Sequence, residues 1–454
     1  MSKGTHKPPM YFASLEIENI KCFEHVQTLD LKDNNGAISP WTLILGDNGV
    51  GKTTLLKSLA WMIPVEDPDT TNAKVGIKPF MDDIDDESEF DQLIRVGRNV
   101  KSRIKATFSN GTNLGEVPPA EDLVSTGMNF ERINGKLELV QPDSGVLDEF
   151  NSPNLFAYGA NRHMGKKNFE QSELKNPFLN LFSDFGDLYD AGQVLSNLDY
   201  ASIKEKGGGK ATDLLKKVKQ ILVDLLPDIT STDSIIINSP VGRDGTLTDK
   251  LVEVNTPYGE VPLYDLSLGY RTMLAWSVDL ALRMLWRNPD EDQPLEQPAI
   301  VLIDEIDLHL HPTWQRNVRE YLVRHFPKTQ FICTAHSPFM AQSSETENLC
   351  VLDRSGNEVL IHNDPFVVKG WRIGQIATSD LFRVASERSV ETEKQIYRRR
   401  ELLDKTSRSS EEDAELQRLD ADLSSLPVAG EKDEQKLLDE LQQVTKFIRE
   451  GGRL

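Results

Sequence analysis

An α/β fold, with a mixed sheet flanked by helices, is predicted by three stretches of this 454-residue chain. Residues 42–45 form a short apolar run that enters a glycine-rich segment and then a helical pattern. Residues 299–303 are continuously apolar, as in a strand buried on both faces of a parallel sheet, and end in Asp304-Glu305. Residues 330–334 read as a further strand, followed by a turn carrying His336. Reactive side chains just beyond the C-terminal ends of apolar strands lie where open α/β sheets bind ligands.

The first stretch names its ligand class. Gly46, Asp47, Asn48, Gly49, Val50, Gly51, Lys52 and Thr53 fit G-x-x-x-x-G-K-[ST] at every fixed position, and Thr54 opens a helix that Pro64 ends. Glycines let backbone N–H groups turn inward around phosphates without a Cβ clash, and the helix N-terminus adds partial positive charge. These nine residues are the predicted nucleotide-binding set. Lys52 is expected to reach the β- and γ-phosphates, and the Thr53 hydroxyl to ligate Mg²⁺. ATP and Mg²⁺ are therefore the expected ligands.

The second stretch supplies carboxylates. Asp304, at the strand end, is expected to hold Mg²⁺ directly or through water. Glu305 is placed to polarise the attacking water, as a carboxylate base in a reaction governed by positioning and electrostatics. Catalysis is assigned to Glu305 and Lys52, and the metal to Thr53 and Asp304.

GDNGVGKTT at 46–54, LSLGYR at 266–271, VLIDEID at 301–307 and TAHSP at 334–338 occur in a fixed order. Together they resemble the nucleotide-binding core of ABC-type ATPases, in the branch that includes RecF, SMC and OLD-like proteins. The resemblance implies that His336 contacts the γ-phosphate, which adds it to the catalytic residues. It further implies that Ser267 and Gly269, at the N-terminus of a helix over residues 272–285, complete a triphosphate held by another protomer. Leu268 replaces the usual central glycine of that signature, and Tyr270-Arg271 the usual polar pair. The LS-x-GYR variant is more similar to defence-type and OLD-like ATPases than to transporters. ABC proteins carry a glutamine loop near residues 154–162, where this chain has none. Either Asn161 or Arg162 substitutes, or the role is absent. His309 and His311 fall where the family places its dimer-contacting loop, and two histidines do not complete a zinc site.

Composition narrows the class. No run of 18 apolar residues exists to span a membrane, and the polar first nine residues offer no signal peptide. Cys22, Cys333 and Cys350 lack C-x-x-C spacing, so a reducing cytoplasm is expected. A net charge of −21 argues against a chain that coats nucleic acid over its whole surface. Arg95, Arg98, Lys101, Arg103 and Lys105, or Arg398, Arg399 and Arg400, leave a local, indirect contact open, although such runs are more often solvated faces.

Four segments are expected. Residues 1–175 form an N-terminal ATPase lobe, opening with an alternating strand over 11–20 and containing a hairpin-like pair at 103–108 and 136–140. Residues 176–250 form a helical insertion broken at Gly207-Gly208-Gly209, with Leu214, Leu215, Val218, Ile221, Leu222 and Leu225 on one core or dimer face. Residues 251–365 form the lobe with the signature, the paired carboxylates and His336. Residues 366–454 form a charged helical partner or oligomer segment. There, Ser409 and Glu412 have capping-box spacing, and Leu416, Leu419, Leu423 and Leu426 make a stripe repeated by Leu437, Leu441, Val444 and Ile448. No sustained heptads separate Lys52 from Ser267, which excludes a long SMC-type arm. A little over 100 residues follow Pro338, too few and too helical for the Toprim domain of OLD nucleases.

The four strings, with Tyr158-Gly159-Ala160-Asn161-Arg162 and an apolar-aromatic cluster over 371–382, resemble the PtuA family of Septu anti-phage ATPases. The ATPase of PARIS systems is similar by motif. The resemblance implies a defence ATPase that forms dimers or larger homo-oligomers and controls a separate HNH-type nuclease subunit. The alternatives are a RecF-like DNA-repair ATPase that binds DNA in an ATP-dependent, salt-sensitive way, and a nucleotide-sensing scaffold. Glu305 and His336 argue against the scaffold.

Overall fold

The structure, a computed structural model, describes residues 9–63, 94–95, 101–133, 136–144, 153–162, 164–167, 178–183, 188–206, 208–226, 229–239, 241, 251–344, 348–363, 368, 370–384, 386–424 and 426. The chain divides into two compact units, Met1–Phe382 and Arg383–Leu454.

The first unit is organised by two sheets. One is antiparallel, in the order β2 (Gln27–Asp30), β1 (Met10–Glu18), β4 (Ser102–Asn110), β5 (Leu123–Ile133) and β6 (Lys136–Ser144). The other is mixed, in the order β16 (Glu358–Asn363), β15 (Asn348–Ser355), β3 (Trp41–Gly46), β14 (Thr329–Ala335), β13 (Ala299–Ile303) and β7 (Leu155–Tyr158). Its central strands are parallel, and only β16 is antiparallel to its neighbour. This is the expected mixed sheet. The expected pairing of residues 103–108 with 136–140 is not present. β5 lies between β4 and β6 and pairs with both. The polar run Ser125-Thr126-Gly127 masks β5 in the sequence, because it breaks the apolar alternation that marks a strand.

The apolar runs separate two cores by strand alternation. Leu43, Leu45, Val301, Ile303, Phe331 and Cys333 face one core, while Ile44, Ile300, Leu302 and Ile332 face the other. Helix α1 (Lys52–Trp61) contributes Leu55, Leu56 and Leu59 to the second core, shared with the antiparallel sheet. The first core is covered by α3 (Ala191–Lys204), α4 (Lys210–Leu225), α5 (Leu268–Arg287) and α6 (Pro312–His325), which follow the short α2 (Leu179–Phe182). Full burial of each large aliphatic side chain there, Leu280 among them, contributes roughly 1.5–3 kcal/mol before entropy is counted. Leu214, Leu215, Val218, Ile221 and Leu222 are core residues, so that face of α4 is spent inside the unit. Two small sheets complete this side: β10 (Ile235–Ile237), β11 (Val252–Thr256) and β12 (Gly259–Pro262); and β8 (Met164–Lys167) with β9 (Leu188–Tyr189). α7 (Pro338–Ser343) is followed by α8 (Ile373–Thr378), and around α8 Val368, Ile376 and Leu381 are buried in the first core, with Trp371 and Phe382 packed against it.

The second unit contains α9 (Val390–Asp404) and α10 (Ser410–Ser424), packed as a hairpin that buries Leu402 and Leu416. The capping box is present: Ser409 N–H donates to Glu412 at 2.9 Å and Glu412 N–H to Ser409 at 3.2 Å. The second leucine-type stripe, over residues 437–448, lies outside the described residues. Among the described residues, no helix is long and apolar enough to cross a membrane.

Candidate functional site

Strand register brings the expected residues together. Leu45 of β3 stands opposite Ala335 of β14, and Ile303 of β13 opposite both Cys333 and Tyr158 of β7. The C-terminal strand ends therefore align, and Gly46, Asp304, His336 and the Gly159–Arg162 loop leave the sheet on one edge.

From β3 the chain turns through Asp47, Asn48 and Gly49, all exposed, into α1. Gly51 caps the helix with φ 93°, a left-handed conformation that an L side chain rarely adopts. An added Cβ there would meet Cys22 Sγ at 2.5 Å. No side chain caps the helix, so its first-turn N–H groups are not engaged by a capping oxygen, the arrangement suited to phosphate. Val50 and Thr54 are buried and anchor the loop. Lys52 is buried too, and its Nζ donates to the carbonyls of Gly46 at 2.8 Å and Asp47 at 2.9 Å. Burial pushes the Lys52 amine below its ordinary range, opposed by Asp304, Glu305 and Asp307.

The loop and the carboxylate strand are joined directly. Thr53 Oγ1 donates to Asp304 Oδ2 at 2.7 Å. Thr334 Oγ1 donates to Asp304 Oδ1 at 2.6 Å and accepts from the N–H of Glu305 at 2.7 Å. Thr334 was missed in the sequence. The signal was a hydroxyl inside the apolar strand Phe331-Ile332-Cys333, since a buried polar group needs a partner. Asp304 is 5% exposed and its N–H donates to Tyr158 O at 2.8 Å. The hydroxyl of Thr53 and the carboxylate of Asp304 are hard oxygen donors in mutual contact, a donor set that fits Mg²⁺.

Glu305 adopts φ 47° and His309 φ 65°, unusual for residues with side chains. Such conformations persist where the surroundings over-determine them, and they concentrate at functional sites. His336 donates its N–H to Asp307 Oδ2 at 3.0 Å, while its ring Nε2 is sealed from solvent with no hydrogen-bond partner. Burial first, then the Lys52 charge, lowers its basicity, which favours the neutral imidazole. Asp307 also went unread as a site residue in the sequence. Arg162, 4% exposed, lies over the backbone of Asp304 and Glu305.

The signature segment sits elsewhere. Ser267 precedes α5, exposed, and its hydroxyl does not cap the helix. Gly269 is pressed against the loop after Glu305: an added Cβ would lie 2.3 Å from the His309 carbonyl oxygen. Ser267, Gly269, Tyr270, His309 and Trp314 help line a cavity of about 270 Å³, and no phosphate-loop residue lines it. His311 caps α6, its Nδ1 accepting from Thr313 N–H at 3.3 Å, which gives that histidine a structural role.

Residues 42–340 match the family described as "AAA domain, putative AbiEii toxin, Type IV TA system". The chain belongs to this AAA-domain family. It is 32% identical over 368 residues to a Septu protein PtuA of Bacillus thuringiensis, covering 77% of this chain and 80% of the relative. It is 22% identical over 385 residues to the "Retron Vc95 probable ATPase" of Vibrio cholerae serotype O1 biovar El Tor, covering 75% and 74% of the two chains. Among solved structures, an SMC head bound to the C-winged helix domain of ScpA matches at 15% identity and TM-score 0.44, over 78% of this chain and 97% of that one.

Within this AAA-domain chain three cations of the basic stretch are paired with carboxylates. Arg95 pairs with Glu24 at 2.9 Å, Lys101 with Glu131 at 2.7 Å and Lys105 with Glu16 at 3.5 Å. Arg98 lies outside the described residues.

Proposed function

We propose that the protein binds ATP with Mg²⁺ at the aligned strand ends and hydrolyses it, as the ATPase of an anti-phage defence system. The observation that carries this reading is the 2.7 Å hydrogen bond between Thr53 and Asp304, which joins a phosphate loop to a carboxylate strand ending in Glu305. Lys52 and the N–H groups of residues 46–54 hold the phosphates. Thr53 and Asp304 would hold Mg²⁺, which neutralises phosphate charge when bound. Glu305 takes a proton from the water attacking the γ-phosphorus as the bond to the bridging oxygen breaks, giving ADP and phosphate. His336 offers a neutral ring beside Lys52 that reports the γ-phosphate. Similarity to Septu PtuA and a retron ATPase supports the defence setting.

The active centre is completed across a homo-oligomer interface, by Ser267 and Gly269 of a second protomer. Supporting this, Ser267 is exposed and spare of any capping duty, and its cavity excludes the phosphate loop of its own chain. The segment 366–454 is assigned to partner or oligomer contacts, including a separate HNH-type nuclease subunit in the cytoplasm. Mixing Lys52→Ala and Ser267→Arg protomers tests the composite site. Restored ATPase activity, when each variant alone is inactive, is expected; no restoration at any mixing ratio would end it. Co-purification of a small nuclease from the native operon tests the partner.

A further inference from the structure

We propose that Arg162 is the positioning residue of the hydrolytic carboxylate, a buried guanidinium that staples the backbone around Glu305 and does not touch phosphate. The inference rests on the ATPase reading above and assigns the function of the loop after β7, which the sequence left open. The evidence is geometric. Nη1 donates to the carbonyl of Gly159 at 2.9 Å and to that of Asp304, and Nη2 donates to the carbonyl of Glu305 at 2.8 Å. Nε is sealed from solvent without a partner. Three carbonyl oxygens thus occupy both terminal nitrogens.

These contacts bear on a residue held in an unfavourable backbone conformation. A left-handed conformation at a non-glycine residue costs on the order of 1–2 kcal/mol, and Glu305 holds one at φ 47°. The peptide units on either side of it are both fixed. Its N–H donates to Thr334 Oγ1 at 2.7 Å, and both its own carbonyl and that of Asp304 accept from Arg162. Holding the preceding and following peptide planes sets both backbone angles, and with them the direction in which the Glu305 side chain leaves the chain. The base of the staple is itself immobilised. Gly159 N–H donates to Asn180 Oδ1 at 2.8 Å, and a Cβ on Gly159 would meet the Asn180 carbonyl oxygen at 2.3 Å. A planar fork spanning three carbonyls is specific to arginine; a lysine supplies the charge from a single point and cannot bridge them.

Two other roles are distinguishable. Simple compensation of the acidic cluster of Asp304, Glu305 and Asp307 needs only a cation, so Arg162→Lys would preserve turnover. Contact with phosphate would make nucleotide affinity fall with turnover. The test compares full-length wild type, Arg162→Lys and Arg162→Met by steady-state ATP hydrolysis, by titration with a fluorescent ATP analogue, and by thermal melting. The expected result is a kcat about 100-fold lower in both variants, as for a small misplacement of a reacting group. KM and analogue affinity should stay within about threefold of wild type, since the phosphate loop is untouched. Wild-type kcat in Arg162→Lys, or a parallel loss of analogue affinity, would overturn the proposal. So would failure of both variants to fold, which would make Arg162 a requirement of the fold. Wild-type protein that binds the analogue without hydrolysing ATP would remove the reading beneath it, an outcome visible before any variant is made.

Discussion

The sheet edge that carries Lys52, Asp304 and Arg162 and the hairpin of α9 and α10 are both built from opposite charges, and they use them in opposite ways. At the sheet edge the charged groups are 4–6% exposed, and each is held by carbonyls, hydroxyls or N–H groups at fixed geometry. In the hairpin, Arg398 bridges Glu401 and Glu415 with side chains 41–47% exposed, and Arg399 meets Asp420 with both about half in water. Solvent screens the second set and leaves each pair marginal, whereas burial makes every polar contact in the first decisive. The same residue types therefore define a site in one place and a soluble surface in the other.

The largest expected effect breaks the chemistry of the sheet edge alone. Glu305→Gln should lower kcat by about 10²–10⁴-fold, the range for loss of a general base, and accumulate ATP-bound oligomer on size exclusion. Turnover within tenfold of wild type would remove Glu305 from the reaction.

Next comes the buried support behind that edge. Asp279 of α5 is fully buried, accepting from Tyr158 Oη at 2.8 Å, Arg283 Nε at 2.7 Å and Tyr189 N–H at 3.2 Å. Asp279→Ala strands the Arg283 cation and should cost about 3–5 kcal/mol in urea unfolding. A loss under about 1 kcal/mol would mean that buried pairing is as weak as pairing in the hairpin.

Gly269→Ala probes the contact between the signature and the loop after Glu305. The methyl must displace the His309 carbonyl, which predicts a loss of about 1–3 kcal/mol in stability and reduced turnover with unchanged binding of an ATP analogue. Wild-type turnover in a stable Gly269→Ala protein would uncouple the two segments.

A smaller effect concerns pH. Burial and Lys52 depress the His336 pKa in the folded state, so the unfolded chain binds the proton more readily. The stability contribution is then full above the ordinary value of about 6.5 and is lost as pH falls through the folded value. Urea midpoints at pH 7.5 and 5.5 should therefore fall less in His336→Asn than in wild type; equal falls would contradict the assignment. Smallest of all, Arg398→Ala in the hairpin should leave the melting midpoint unchanged within error, because its partners are solvated.

Legibility in the sequence followed the range of each interaction. The phosphate loop, the Asp304-Glu305 pair and the Ser409 cap are patterns of neighbouring residues, and all three are present. Motif order singled out Ser267 and Gly269, but not that Gly269 is pressed against the His309 carbonyl. β5 was lost because its polar centre hides it. Arg162 was read only as one of two candidates for the missing glutamine, and Thr334 was given no role, because the partners of both are set by strand pairing.

Taken alone, the sequence determined the phosphate loop, the apolar strands and the acids at their ends, because dihedral freedom at glycine and burial of continuous apolar runs are local properties. Only the tertiary structure decided what holds Glu305 in place. Arg162 and Asp304 are 142 positions apart in the chain, and Thr334 and Asp304 are 30 apart. They meet because β7, β13 and β14 pair in one particular register, and hydrogen bonds this short-ranged exist only when that register is set.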